Sequence, residues 1–234
     1  MRRGTADSDT LVAMRFALPF AVLHTDLDDR PALRGMLHVL AAAAAIGGAV
    51  WMLLIAGSPT AYVGAAIFGT SLMLLYGTSA TYHQIAWGGT PRAIVRRLDH
   101  AMIFVLIAGT YTPFCLNINL AWGIPLLAVI WSFAGVGAVI KLIWPNGPRW
   151  LGVTMYLGLG WIGVIGAAEA FRAYATEPIA LLILGAAMYT LGGIVYALRR
   201  PNPWPRIFGF HEVFHTLVVA GSALHFAAVA FYII

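Results

Sequence analysis

Hydrophobic residues fill seven long stretches of this chain, and glycine, proline or charged residues mark the short segments between them. A bilayer core about 30 Å thick requires about 20 apolar residues of helix. Each stretch meets that length, so the pattern predicts an all-α fold of seven transmembrane helices. The predicted spans are residues 36–57, 60–83, 98–118, 121–142, 150–172, 178–198 and 211–234. Because the connections are short, we expect a single seven-helix domain over residues 36–234.

Residues 1–35 have a different pattern, in which acidic residues flank a short apolar run at 16–23. The run has the length of a signal-peptide core, but no small-residue cleavage pattern follows it. The segment is therefore predicted to be cytoplasmic and to form either an interfacial helix or a flexible tail. In the helical alternative, the residues that touch lipid are Leu11, Met14, Phe16 and Phe20.

The composition agrees with a membrane protein, since 61% of the residues are hydrophobic and only 10% are charged. The single cysteine, Cys115, excludes an intramolecular disulfide. A net charge of +5 would suit nucleic acid. However, the basic residues flank the predicted spans and form no continuous basic face, so no nucleic-acid partner is expected.

The basic residues also predict the orientation. Of the 14 Lys and Arg residues, only Arg172 falls on the far side of the predicted spans from the N-terminus. Cytoplasmic loops of membrane proteins are enriched in Lys and Arg. We therefore predict a multi-pass protein of the cell membrane with a cytoplasmic N-terminus and, after seven crossings, an external C-terminus.

Six polar residues fall at one predicted depth near the cytoplasmic face. They are Ser79 and His83 at the end of the second span, Asp99 and His100 at the start of the third, and His211 and His215 at the start of the seventh. Ionisable residues inside membrane spans are costly and usually functional. His211 and His215 are four residues apart, so they share one helix face about 6 Å apart along the axis.

This set of residues suggests a metal site. His83, His211 and His215 would supply three nitrogen ligands and leave a fourth position open, which is typical of a catalytic zinc ion. Asp99 suits a general base or a carboxylate that orients water, and Ser79 could donate to a ligand or a substrate oxygen. Another borderline metal is compatible with these ligands. Haem is not, because two histidines four apart on one helix cannot occupy opposite axial positions.

The remaining polar residues have structural interpretations. His24, His38 and His100 are expected to form hydrogen bonds at the membrane interface. His225 lies about 15 Å deeper along the seventh span and is expected to be a satisfied polar group of the core. Glu212 is expected to face Arg206 or lipid headgroups, and Glu169 is expected to pair with Arg172 three residues later.

Three motifs together resemble the hemolysin III family: Ser79-x-x-x-His83, Leu98-Asp99-His100 and His211-x-x-x-His215. That family belongs with the progestin and adipoQ receptors and is related to the alkaline ceramidases. The resemblance covers the chain from about residue 30 onward. It implies seven helices, a cytoplasmic N-terminus and zinc held by the three histidines, with Asp99 and Ser79 beside the bound water. The short N-terminal segment departs from the eukaryotic receptors, so the resemblance does not extend to a receptor-type extracellular ligand.

The expected function is hydrolysis of a membrane lipid amide or ester by a zinc-dependent enzyme. The alternative is a non-enzymatic protein of membrane homeostasis, signalling or cytolysis, in which the zinc is structural. A pore or transporter is disfavoured because no polar stripe follows a whole helix. The pattern specifies neither the lipid nor an oligomeric state.

Overall fold

A computed structural model describes residues 31–85 and 87–234, which form helices joined by short loops. The helices in these residues are α1 (Met36–Ile55), α2 (Pro59–Gln84), α3 (Gly89–Leu116), α4 (Leu120–Ile143), α5 (Arg149–Trp161), α6 (Ala167–Ala173), α7 (Thr176–Leu198) and α8 (Phe210–Tyr232). All except α5 and α6 are long and apolar enough to cross a membrane. The predicted all-α transmembrane fold is therefore confirmed. The proposed interfacial residues between 11 and 20 lie outside the described part of the chain.

The starts of α2 and α4, which lie at the same end of the bundle, follow local capping rules. The Ser58 hydroxyl accepts a hydrogen bond from the Ala61 amide at 3.1 Å, and Pro59 occupies the first helical position of α2. The Asn119 side chain likewise accepts from the Ala121 amide at 3.0 Å at the start of α4. Turn-forming residues at these positions explain why the observed helices begin within a residue or two of the predicted spans.

Helix α3 begins earlier than the sequence pattern predicted. The third predicted span starts at residue 98, but the helix starts at Gly89 and contains Pro91 in its first turn. Proline is tolerated there because the amides of a first turn have no helical acceptor. Asp99 therefore lies about three turns inside α3, not at its first residue.

The fifth predicted span is interrupted. Helix α5 ends at Trp161, a 3-10 turn covers Ile162–Gly166, and α6 follows. The Tyr111 hydroxyl of α3 donates to the Gly160 carbonyl and accepts from the Gly163 amide at 2.9 Å. A side chain inserted into the hydrogen-bond ladder breaks a helix. Gly163 is also required sterically, since a Cβ atom there would lie 2.6 Å from the Tyr111 ring.

Helices α1 to α4 each pack against the next, α5 packs against both α4 and α7, and α8 packs against α7 and α1, so the bundle closes into a ring. One apolar core joins α1, α2, α3 and α8 and includes Met52, Phe68, Leu72, Leu75 and Val229. A second joins α3, α4 and α5 and includes Phe104, Ala108, Ile130, Ala134 and Leu159. Because neighbouring helices run antiparallel, the end of α2 lies beside the starts of α1, α3 and α8. The candidate site is at this end of the bundle.

Candidate metal centre

Three histidines converge where α2 ends and α8 begins. His83, His211 and His215 each offer a nitrogen atom, and these nitrogens all lie within 4.8 Å of one another. The Nε2 atoms of His83 and His211 are 3.3 Å apart. His83 and His215 are buried, with 6% and 2% of their surface exposed. The structure thus brings the three predicted ligands together from opposite ends of the sequence.

One pair of these nitrogens has the spacing of a tetrahedral metal site. Zinc bonds to histidine nitrogen at about 2.0–2.1 Å, so two nitrogens of one tetrahedral site lie about 3.3–3.4 Å apart. The distance between His83 and His211 is in this range. The Nδ1 atom of His215 is buried and has no hydrogen-bond partner, which is costly for a polar atom in an apolar bundle. These residues could therefore hold a metal ion, with His83, His211 and His215 as the ligands.

His38 is a fourth imidazole at the centre, and its predicted interfacial position is wrong. It is only 3% exposed and stacks on His215, with ring centroids 3.7 Å apart and an interplanar angle of 12°. Two parallel stacked rings cannot both point a nitrogen lone pair at one ion, so His38 packs against the ligand set without joining it. The signal was available in the sequence, because His38 begins the first span at the same predicted depth as His83.

Ser79 connects His38 to the predicted general base. Its hydroxyl oxygen lies 2.7 Å from the Nδ1 atom of His38 and also lies beside the Asp99 carboxylate. An ionised carboxylate can only accept hydrogen bonds. Ser79 therefore donates to Asp99 when Asp99 is ionised, and His38 Nδ1–H then donates to Ser79. This chain of contacts places Asp99 next to the histidines, on the α3 side of the centre.

Two tyrosines border Asp99 on its other side. Tyr156 of α5 and Tyr196 of α7 both lie close enough for their hydroxyls to interact with the Asp99 charge. Each ring forms a cation–π contact with a basic side chain. Lys141 Nζ lies 5.8 Å from the Tyr156 centroid, and Arg149 Cζ lies 4.9 Å from the Tyr196 centroid. Sequence patterns did not identify these tyrosines, because nothing in a single chain distinguishes them from membrane-interface aromatics.

The prediction that Glu212 faces Arg206 or lipid headgroups is wrong. Its side chain is only 1% exposed, and Oε1 lies 2.5 Å from Nε of Arg34. The other carboxylate oxygen accepts from the Gly209 amide at 2.8 Å and so caps the start of α8. An acidic residue between two candidate ligands is thus fixed from both sides.

The predicted pair of Glu169 and Arg172 is confirmed, and the prediction of a satisfied His225 is confirmed in part, because its Nδ1 atom is buried without a hydrogen-bond partner in the described part of the chain. His225 is buried, and its Nε2 atom lies 3.0 Å from the Leu182 carbonyl oxygen, to which it can donate. Glu169 pairs with Arg172 on the surface near the opposite end of the bundle. His100 forms a hydrogen bond, as predicted: it is half-buried, with Nδ1 2.7 Å from the Arg96 carbonyl and 3.8 Å from the Asp99 carboxylate.

Known proteins with similar sequences share most of this chain. A family model described as "Haemolysin-III related" matches residues 29–226. The chain is 36% identical to "Hemolysin-3 homolog" of Bacillus subtilis over 75% of its own length and 80% of that protein. It is 30% identical to "Hemolysin-3" of Bacillus cereus over 76% of its length and 78% of that protein. A more distant relative, "Adiponectin receptor protein" of Drosophila melanogaster, is 28% identical over 71% of this chain and 41% of that protein.

Proposed function

The chain belongs to the haemolysin-III-related family, within the progestin and adipoQ receptor superfamily, and we propose that it is a zinc-dependent hydrolase of a membrane lipid amide or ester. The observation that carries this proposal is the convergence of three histidine nitrogens within 4.8 Å, with a carboxylate reached through Ser79. Three neutral nitrogen ligands leave a coordination position free, as in zinc hydrolases. The burial of the ligands protects such a site from competing solvent chemistry.

We place the centre near the cytoplasmic face of the cell membrane. Every Lys and Arg of the described residues except Arg172 lies at or beyond the end of the bundle that holds the histidines. The excess of Lys and Arg in cytoplasmic loops supports this orientation. A lipid whose acyl chains remain in the bilayer could present a bond near its headgroup at this depth.

In the proposed reaction, His83, His211 and His215 would hold the zinc ion. Zinc in such a site polarises a carbonyl group and lowers the pKa of water to about 7. Asp99 accepts a proton from the attacking water at a carboxylate oxygen while the water oxygen bonds to the acyl carbon. Asp99 then returns the proton to the leaving nitrogen or oxygen as its bond to the acyl carbon breaks. Ser79 donates to Asp99 and keeps the carboxylate oriented.

The first test compares two histidines of the same helix. His211→Ala is expected to abolish zinc binding and turnover, whereas His225→Ala is expected to retain both, because His225 contacts Leu182 and lies outside the cluster. Zinc is measured by elemental analysis of purified protein, and turnover with vesicles that contain an N-acyl lipid amide or a matched ester. Unchanged zinc content in His211→Ala would contradict the proposal.

A second candidate function is a structural zinc site in a protein without turnover. The printed name of the Bacillus cereus relative, "Hemolysin-3", favours a role in membrane lysis for that protein. Asp99→Asn separates the two functions, because Asn retains the shape of the side chain but cannot accept a proton from water. The hydrolase requires this variant to bind zinc normally and to lose turnover about 100-fold or more. Glu177→Gln, at an exposed carboxylate of α7, is the matched control.

If Asp99→Asn keeps the full cellular effect of the protein while no lipid is hydrolysed by the wild type, the non-enzymatic function is correct. If Asp99→Asn removes that effect with zinc still bound, the structural-zinc function is excluded.

A further inference from the structure

A segment at the start of the described chain, residues 31–38, lies across the helix ends that carry the histidines. The Ala32 amide donates to the Arg206 carbonyl at 3.0 Å, and the Leu33 amide donates to the Ile207 carbonyl at 3.2 Å. We call this segment the N-terminal strap. We propose that the strap positions all three histidines and thereby sets the affinity of the centre for its metal. This inference rests on the metal binding proposed above.

The first contact of the strap is with α8. Arg34 Nε lies 2.5 Å from the Glu212 carboxylate, whose second oxygen accepts from the Gly209 amide. Glu212 directly follows His211 in the sequence, so this contact fixes the first turn of α8 against the strap. The carboxylate is only 1% exposed, and removing its cation would leave a buried charge without compensation.

The second contact is with α2. Gly35 has a φ angle of 76°, a left-handed conformation that favours glycine, and a Cβ atom there would overlap with the Cβ of His83. The neighbouring Gln84 side chain donates to the Arg34 carbonyl at 2.6 Å. The backbone of the strap therefore packs directly against the ligand-bearing turn of α2.

The third contact is with the remaining ligand. His38 stacks on His215 and is itself held by Ser79 at 2.7 Å. An imidazole ring turns about two side-chain torsions, so its nitrogen points at a metal only if neighbouring groups fix the ring plane. Stacking on one face restricts that rotation. Residues 34–38 thus contact His83 and His215 directly and reach His211 through the adjacent Glu212.

Mutation of residues that support metal ligands typically weakens metal affinity by about 10- to 100-fold. If the strap only stabilised the fold, substitutions in it would lower the thermal stability of the zinc-free protein. They would leave the zinc dissociation constant of the folded protein unchanged. The two roles therefore differ in a measurable quantity that does not depend on enzymatic activity.

The experiment measures zinc affinity by competition with a chromophoric chelator and thermal stability of the zinc-free form, using the full chain in detergent. Arg34→Gln and Glu212→Gln are each expected to weaken zinc binding by about 10- to 100-fold. The double variant is expected to be no weaker than the worse single variant, because both substitutions break one contact. Arg172→Gln is the matched control, since Arg172 forms an arginine–glutamate pair with Glu169 far from the centre.

Position 38 supplies an independent test in case Arg34→Gln folds poorly. His38→Phe keeps a ring against His215, whereas His38→Asn keeps only a donor for Ser79. We expect His38→Asn to lose more affinity than His38→Phe. Unchanged zinc affinity in Arg34→Gln and His38→Asn, with a normal wild type, would overturn the role of the strap alone. A wild type that binds no zinc would overturn the proposed function and this inference together.

Discussion

Helix α8 carries two groups of buried polar side chains, one in its first turns and one near its middle. The candidate metal centre (His83, His211 and His215) uses the first turns. The inner polar cluster (Tyr76, Tyr189, Ser222 and His225) uses the middle. In the inner polar cluster, the Tyr76 hydroxyl donates to Ser222 at 2.6 Å, and the Tyr189 hydroxyl lies 2.7 Å from the same oxygen.

The difference between the two groups is chemical. A hydroxyl both donates and accepts, so the tyrosines and Ser222 can satisfy one another without any ligand. A neutral imidazole has one donor and one acceptor nitrogen in fixed directions, so a single N–H can bridge the Nε2 atoms of His83 and His211, while Nδ1 of His215 has no hydrogen-bond partner among the described residues. The hydroxyls of Tyr76, Tyr189 and Ser222 therefore need no ligand, whereas the three imidazoles, with nitrogens within 4.8 Å of one another, could hold a cation.

The largest expected effect is on stability linked to metal binding. With free zinc at about 1,000 times the dissociation constant, binding should stabilise the fold by about 4 kcal/mol. A chelator is therefore expected to lower the unfolding temperature of the wild type clearly. The same shift should persist in His225→Ala and disappear in His215→Ala. Thermal unfolding with and without chelator measures this effect. An equal shift in both variants would show that His215 contributes no more to metal binding than His225 does.

A smaller effect is expected from Ser222→Ala. The substitution leaves the buried hydroxyls of Tyr76 and Tyr189 without their shared partner, which should cost about 1–3 kcal/mol of unfolding free energy. Zinc affinity should not change, because these groups satisfy one another away from the ligands. Ser132→Ala is the control, since Ser132 is exposed on α4 and bonds only its own helix. Loss of zinc from Ser222→Ala would show that the two clusters are coupled.

The smallest effect is expected from Tyr111→Phe. This change removes the hydroxyl that bonds the Gly160 carbonyl and the Gly163 amide, at a cost of about 1 kcal/mol in a membrane bundle. Hydrogen exchange at the Gly163 amide should become faster, while zinc binding stays unchanged. Tyr62→Phe, at an exposed tyrosine of α2, controls for the loss of a phenolic hydroxyl. If hydrogen exchange at the Gly163 amide did not change, the glycine residues alone would explain the interruption of the fifth predicted span after Trp161.

Much of the site followed from linear patterns. The spacing of His211 and His215 places them on one helix face, and the alternation of span directions brings His83 to the same depth. The early start of α3 was missed because a Gly-Pro run reads as a loop, although Pro91 is compatible with a first helical turn. The interruption after Trp161 was missed because its cause, Tyr111, lies on another helix.

Hydrophobic length and helical spacing are local properties, so the order of residues already showed six of the long apolar helices and which helix ends carry histidine. The surroundings of those histidines depend instead on how the helices pack. The stacking of His38 on His215 and the pairing of Arg34 with Glu212 join residues that are far apart in the chain. Such contacts depend on how α1 packs against α2 and α8, and the polar character of a residue does not specify which partner that packing will give it.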